Sequence, residues 1–118
     1  MAKKKDTPII YKLQAEICSA LAHPVRLQML DILADGEKTC SDLLEVLDIS
    51  KANLSQHVSL MKSVGIIESR KEGTYQYISL AFPQIKEACG MIRHLLLKRV
   101  EKREKLQADL KKQLKRGI

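Results

Sequence analysis

At 118 residues the chain has room for one domain with a single modest core, and it is marginal as a monomer if much of it is extended helix. One phenylalanine, three tyrosines and no tryptophan leave the packing to aliphatic side chains, which favours a mainly helical class, and the formal charge of +7 points to a polyanionic partner. No apolar run reaches membrane-spanning length, the first residues lack the apolar segment of a signal peptide, and three scattered cysteines make no disulfide framework, so a cytoplasmic protein without membrane association is expected.

After a flexible basic start over residues 1–9, Leu13, Ile17, Ala20 and Leu21 recur at helical steps and predict a first helix ending near Ala22. His23 and Pro24 interrupt it, His23 as a cap or turn residue and Pro24 at the first position of a second helix. Over residues 25–34 apolar side chains fall all round the helix, which marks it as the central buried element, and Asp35-Gly36 stops it. Thr39 is a suitable N-cap for a third, short helix with Asp42 at its third position and Leu43, Leu44 and Leu47 facing inward. Asp48-Ile49 forms a tight turn. Ser50 then caps a fourth helix whose inward residues are Leu54, Val58, Met61 and Val64.

The opposite face of that fourth helix carries the information. Ala52, Ser55, Gln56, Ser59 and Ser63 gather on one stripe of short, uncharged side chains, with Lys51 beside it at the N-terminus. A solvated helix face ordinarily carries Glu and Lys. Small hydroxyls and amides instead allow close approach to a surface and both donate and accept hydrogen bonds, which is what base edges in a DNA major groove require. The competing reading is a helix packed inside a helical domain.

Gly65 ends the helix, and residues 66–70 read as a strand, 71–74 as a turn and 75–80 as a second, alternating strand. A hairpin directly after such a helix, with Arg70 and Lys71 at its bend, reads as a wing reaching phosphate or minor groove. Beyond Pro83 a last helix shows Ile85, Ala88, Cys89, Ile92, Leu96 and Val100 on one stripe, prolonged by Leu106, Leu110 and Leu114. If continuous to Arg116 it would span about 50 Å. The expected organisation is a flexible N-terminus over 1–9, a winged helix-turn-helix domain over 10–97 and a basic extension of the last helix over 98–118.

Charge is unevenly spread. Residues 1–12 carry +3 and residues 98–118 carry +6, whereas 13–97 sum to −2. If DNA is the partner, the ends supply part of the sequence-blind, salt-dependent attraction; solubility is the alternative use of such tails.

Several separate stretches resemble the ArsR/SmtB family of bacterial winged helix-turn-helix repressors: LAHPVRL at 21–27, GEK at 36–38 with Asp42-Leu43, ISKANLSQHV at 49–58, and GII at 65–67 leading to RKEGTYQY at 70–77. Together they span about residues 13–80. The resemblance implies a mainly α fold with a small β-hairpin, in the order α-α-α-α-β-β-α. It further implies a homodimer formed through the first and last helices, bound to double-stranded DNA at a palindromic operator and released by an inducer. The residues placed at DNA are Ser50, Lys51, Ala52, Asn53, Ser55, Gln56, His57, Ser59, Arg70, Lys71 and Thr74. His57 could either orient the helix or reach a phosphate.

Metalloid-sensing relatives carry Cys-x-Cys-Asp where this chain has TCSD at 39–42, so a single thiol, Cys40, stands there. Facing the apolar stripe would raise its pKa, although a helix N-terminus lowers it. Cys18 and Cys89 form the other candidate pair, able to respond to an oxidant, a persulfide or a thiophilic metalloid. The alternative is that all three cysteines are small hydrophobes. His94 has Ile92 and Lys105 where the family's last-helix zinc site needs ligands, so it reads as an ordinary helix residue and no metal or other cofactor is assigned. No acid–base pair, nucleophile–base pair or phosphate loop is present, which excludes an enzyme. The expected function is a repressor derepressed through thiols; the alternative is an inducer-independent architectural or interaction protein using the same head.

Overall fold

The computed structural model describes residues 6–115. Its elements in chain order are α1 (Ile9–Leu21), α2 (Pro24–Ala34), β1 (Lys38–Thr39), α3 (Cys40–Val46), α4 (Lys51–Ser63), β2 (Ile67–Glu72), β3 (Tyr75–Leu80) and α5 (Gln84–Lys115). Helix α1 already begins at Ile9; residues 1–5 of the expected flexible start, and the expected helix end at Arg116, lie outside the described residues.

The caps act locally. His23 Nδ1 accepts from the Val25 backbone N–H at 3.1 Å with Pro24 at the first helical position, so α2 starts where its sequence places it. Thr39 and Asp42 close a reciprocal capping box on α3, at 3.1 and 3.0 Å. Ser50 Oγ accepts from Asn53 N–H at 3.1 Å and starts α4. Gly65, at φ +79°, ends it: the Gly65 N–H reaches the Lys62 carbonyl and the Ile66 N–H the Met61 carbonyl, a Schellman closure that delivers the chain straight into β2.

The hairpin differs from the sequence expectation in two respects. Strand β2 extends through Glu72, leaving only Gly73-Thr74 as the loop, with Gly73 at φ +62° as a two-residue primed turn requires. Arg70 therefore stands inside β2 opposite Tyr77 and not at the bend. Second, the sheet has three strands in the order β1-β3-β2, because Lys38 and Thr39 pair antiparallel with Ile78 and Tyr77. A two-stranded hairpin is marginal in water, and β1 covers its free edge. Two residues are too few for alternation to announce a strand.

The core is aliphatic: Ala20, Met29, Leu30, Leu33, Leu43, Leu47, Leu54, Val58, Met61, Ile66, Ile67 and Ile78. Helix α2 buries one side rather than its full circumference, with Val25 and Ile32 half-buried and Leu27 exposed. Helix α1 contributes only Ala20, and leaves Leu13 50 % and Ile17 42 % exposed. The chain divides after Lys86 into two units. The first holds all of the described core, and the second is the body of α5, which runs unbroken to Lys115 and buries no residue among those described. No helix among the described residues is long and apolar enough to cross a membrane.

Candidate nucleic-acid interface

Helix α4 presents two faces. Leu54, Val58 and Met61 are buried, and at 100° per residue this turns Lys51, Ala52, Asn53, Ser55, Gln56 and Ser59 outward, all exposed. Ser63 belongs to the same stripe by spacing, but its hydroxyl donates back to the Leu60 carbonyl at 2.7 Å and is spent within the helix. Ser50 uses an oxygen lone pair on Asn53 N–H, which leaves its own proton free to donate.

Beside this face lies a cleft of about 420 Å³ between α3, α4 and the start of β3. Lys51, Ser55, Ser59 and Lys62 line one wall and Thr74, Tyr75 and Gln76 the other, so the helix and the hairpin tip share one open groove. Lys62 escaped the sequence reading. Its signal was there in the spacing, three residues after Ser59 and seven after Ser55.

Cys40 lies on the α3 wall of the cleft, half-buried, with its Sγ–H donating to Gln76 Oε1 at 3.7 Å. Partial burial pushes the thiol pKa up and nearby Lys51 pulls it down less, so the neutral thiol is favoured. Cys18 is exposed on α1, Cys89 is half-buried on α5, and none of the three cysteines is in a disulfide. Among the described residues no three His, Cys, Asp or Glu side chains converge as metal ligands.

His57 is on the flank of α4, away from the cleft-lining residues. Its Nδ1 is 3.4 Å from Arg26 Nη1 and its ring centroid 4.6 Å from that of His23. Arg26 also donates through Nε to the Ala20 carbonyl at 2.6 Å, at the end of α1. One guanidinium thus ties the ends of α1 and α2 to α4, with His57 as its contact on α4. Arg26 stands in the LAHPVRL stretch, but its partners Ala20 and His57 lie in other helices and are not legible from that stretch.

Of the hairpin residues, Lys71 and Thr74 are exposed near the tip. The Arg70 guanidinium is engaged: Nε and Nη2 donate to the two Glu37 oxygens at 3.1 and 2.7 Å, and Nη1 donates to Glu72 at 2.6 Å. It also lies over the Tyr77 ring, 4.4 Å from the centroid. These bonds raise the Arg70 pKa further above its ordinary value and hold the Glu37 carboxyl below the usual carboxylate range.

Residues 21–70 match a family model described as a helix-turn-helix domain. Over 103 residues the chain is 30 % identical to the HTH-type transcriptional regulator Rv0081 of Mycobacterium tuberculosis, covering 86 % of this chain and 90 % of that protein. The crystal structure of Rv0081 superposes with a TM-score of 0.74 at 31 % identity, over 82 % of this chain and 98 % of the other. The homodimeric winged helix-turn-helix DNA-binding domain of Mb0332 from Mycobacterium bovis superposes with a TM-score of 0.72 at 28 % identity, over 86 % and 94 % of the two chains. The chain belongs to the ArsR/SmtB family of winged helix-turn-helix transcriptional regulators.

The family is one of DNA-binding regulators and not of enzymes. In the winged helix-turn-helix fold, α3 and α4 are the helix-turn-helix pair and β2–β3 the wing.

The His57 environment predicts a pH effect on stability. Partial burial, then His23 and Arg26, lower its pKa below the ordinary histidine value, so folding favours the neutral ring. Its contribution is therefore complete above the unfolded-state pKa near 6.5 and is lost as pH falls through the lowered folded-state value. Thermal unfolding followed by circular dichroism from pH 7.5 to about pH 5 should show a smaller loss of Tm in His57→Gln than in the wild type. An equal loss in both would remove His57 as the titrating group.

Proposed function

We propose that this protein is a homodimeric, sequence-specific transcriptional repressor that lays α4 in the major groove of a palindromic operator. The observation that carries the reading is the α4 face of Ala52, Ser55, Gln56 and Ser59, exposed and uncharged while Leu54, Val58 and Met61 anchor the helix beneath. Lys51, Asn53 and Ser50 stand at the helix N-terminus, where backbone N–H groups and the helix dipole favour phosphate. Lys62 joins Lys51 in the cleft, and Lys71 and Thr74 extend from the wing. The protein acts in the cytoplasm, where its DNA is.

A second copy is the partner that suits the uncovered apolar residues. Ile9, Ile10, Leu13 and Ile17 of α1 are exposed in the single chain, as are Ile92, Leu96 and Val100 of α5. Mb0332 is homodimeric, and a two-fold protein places its two recognition helices on symmetric half-sites.

For derepression, a thiol-directed inducer (an oxidant, a persulfide or a thiophilic metalloid) acting at Cys18 and Cys89 is the reading retained. Exposure of Cys18 favours it as the first point of attack. Cys40 is a poor first target, because burial disfavours its thiolate.

On an operator selected from a random duplex pool, Gln56→Ala should weaken specific binding by about 1 to 3 kcal/mol and leave binding to unrelated duplex nearly unchanged. An unchanged ratio of specific to nonspecific affinity would reject that face as the reader. In the same assay, oxidant or persulfide should release the wild type from the operator and fail to release Cys18→Ser or Cys89→Ser. Release of both variants as readily as the wild type would exclude these thiols, and no release of any would favour the inducer-independent reading.

A further inference from the structure

Arg70 and Lys71 are adjacent strand residues, so the pleat directs them to opposite faces of the wing. Lys71 shares its face with Ile67 and, across the ladder, with Ile78, the two buried residues through which the wing joins the core. Arg70 is on the outer face, opposite Tyr77, with Glu68 and Glu72 on the same side of its strand. Each of its three guanidinium nitrogens donates to a carboxylate oxygen, two of them in a fork on Glu37. Glu37 comes from the loop before β1, which is 33 residues away in sequence but adjacent in space because β1 pairs with β3.

Charge is consequently rearranged at the wing. Two carboxylates surround one guanidinium, and the Tyr77 ring covers one of its planes, so this spot offers an approaching phosphate no free cation. Isolated exposed ion pairs contribute little to stability. A bidentate, ring-stacked pair with a second carboxylate still fixes where the guanidinium points. Phosphate contacts raise affinity for any duplex and carry no base information. A cation withheld from phosphate therefore favours discrimination over affinity.

We propose that Glu37, assisted by Glu72, is a specificity-determining positioning residue that holds Arg70 away from the DNA backbone, leaving Lys71 as the cation the wing offers to phosphate. The inference rests on the DNA-binding reading above. It predicts that the wing contributes fewer phosphate contacts than its basic residues suggest, so that nonspecific binding is weak and the α4 face decides the site.

The test is the slope of log K against log salt for binding to a mixed-sequence duplex that lacks the operator. Glu37→Gln/Glu72→Gln should steepen the slope by about 0.9, the increment for one phosphate contact. Adding Arg70→Ala to that variant should remove the gain, while Arg70→Ala alone should shift the slope by less than about a third of it. Glu68→Gln, which removes an acid from the same strand face without touching Arg70, should leave the slope near the wild-type value. Melting curves that match the wild type establish that each variant is folded. The proposal is overturned if Arg70→Ala alone flattens the slope by about 0.9, since Arg70 would then already contact phosphate. It is also overturned if Glu37→Gln/Glu72→Gln steepens the slope no more than Glu68→Gln does, or equally with and without Arg70→Ala. Absence of any duplex binding by the wild type at low salt would reject the DNA-binding reading together with it, whereas failure of the Gln56→Ala test alone would leave the salt slopes interpretable.

Discussion

The burial of Leu54, Val58 and Met61 fixes the rotation of α4, and most of what the molecule offers to a partner depends on that rotation. A helix has one degree of freedom about its own axis. Three side chains at three- and four-residue steps, each worth roughly 1.5 to 3 kcal/mol when fully removed from water, hold it in one setting. Ala52, Ser55, Gln56 and Ser59 then point outward with no interaction of their own needed to aim them. The Ser50 cap and the Gly65 closure fix the two ends, so the same stretch of chain sets position, length and rotation together.

Around that helix, charge is distributed against simple expectation. The overall charge is +7, yet residues 13–97 sum to −2. Arg26 binds helix-end carbonyls and His57, and Arg70 is held by two carboxylates, so two of the head's arginines serve its own structure. The lysines that face outward near α4 and the wing are Lys51, Lys62 and Lys71. In the proposed reading, sequence-blind attraction comes largely from the basic end of α5 and the N-terminal lysines, while the head contributes few cations and a face suited to bases.

Much of this was legible before any coordinates, wherever the determining interaction is local. The caps at His23, Thr39 and Ser50, the stop at Gly65 and the inward stripe of α4 all depend on residues within about a helical turn of one another. What was not legible depends on pairing across the chain. Strand β1 exists because Lys38 and Thr39 meet Ile78 and Tyr77, and nothing in two residues foretells that partner. The expected turn at 71–74 was two residues too long, because Lys71 and Glu72 are polar and look like loop until the ladder pairs them with Gln76 and Tyr75. Arg70 showed its charge but not its partners, since Glu37 lies in another element. Cys40 was readable in kind: its register with Leu43 and Leu47 implied an apolar setting, and burial does push its pKa up. For Cys18 and Cys89, helical periodicity gives each a place on its own helix and says nothing about whether the two thiols meet.

The central claim is that the outward face of α4 meets DNA, and amide chemical-shift mapping during titration with a selected operator duplex tests it most directly. The predicted result is that the largest perturbations fall on residues 50–59, with a second group at 71–74, while the buried positions of α2 shift little. Perturbations confined to α5 and the N-terminus, with residues 50–59 unmoved, would contradict it and would reduce the protein's DNA binding to attraction by its basic ends.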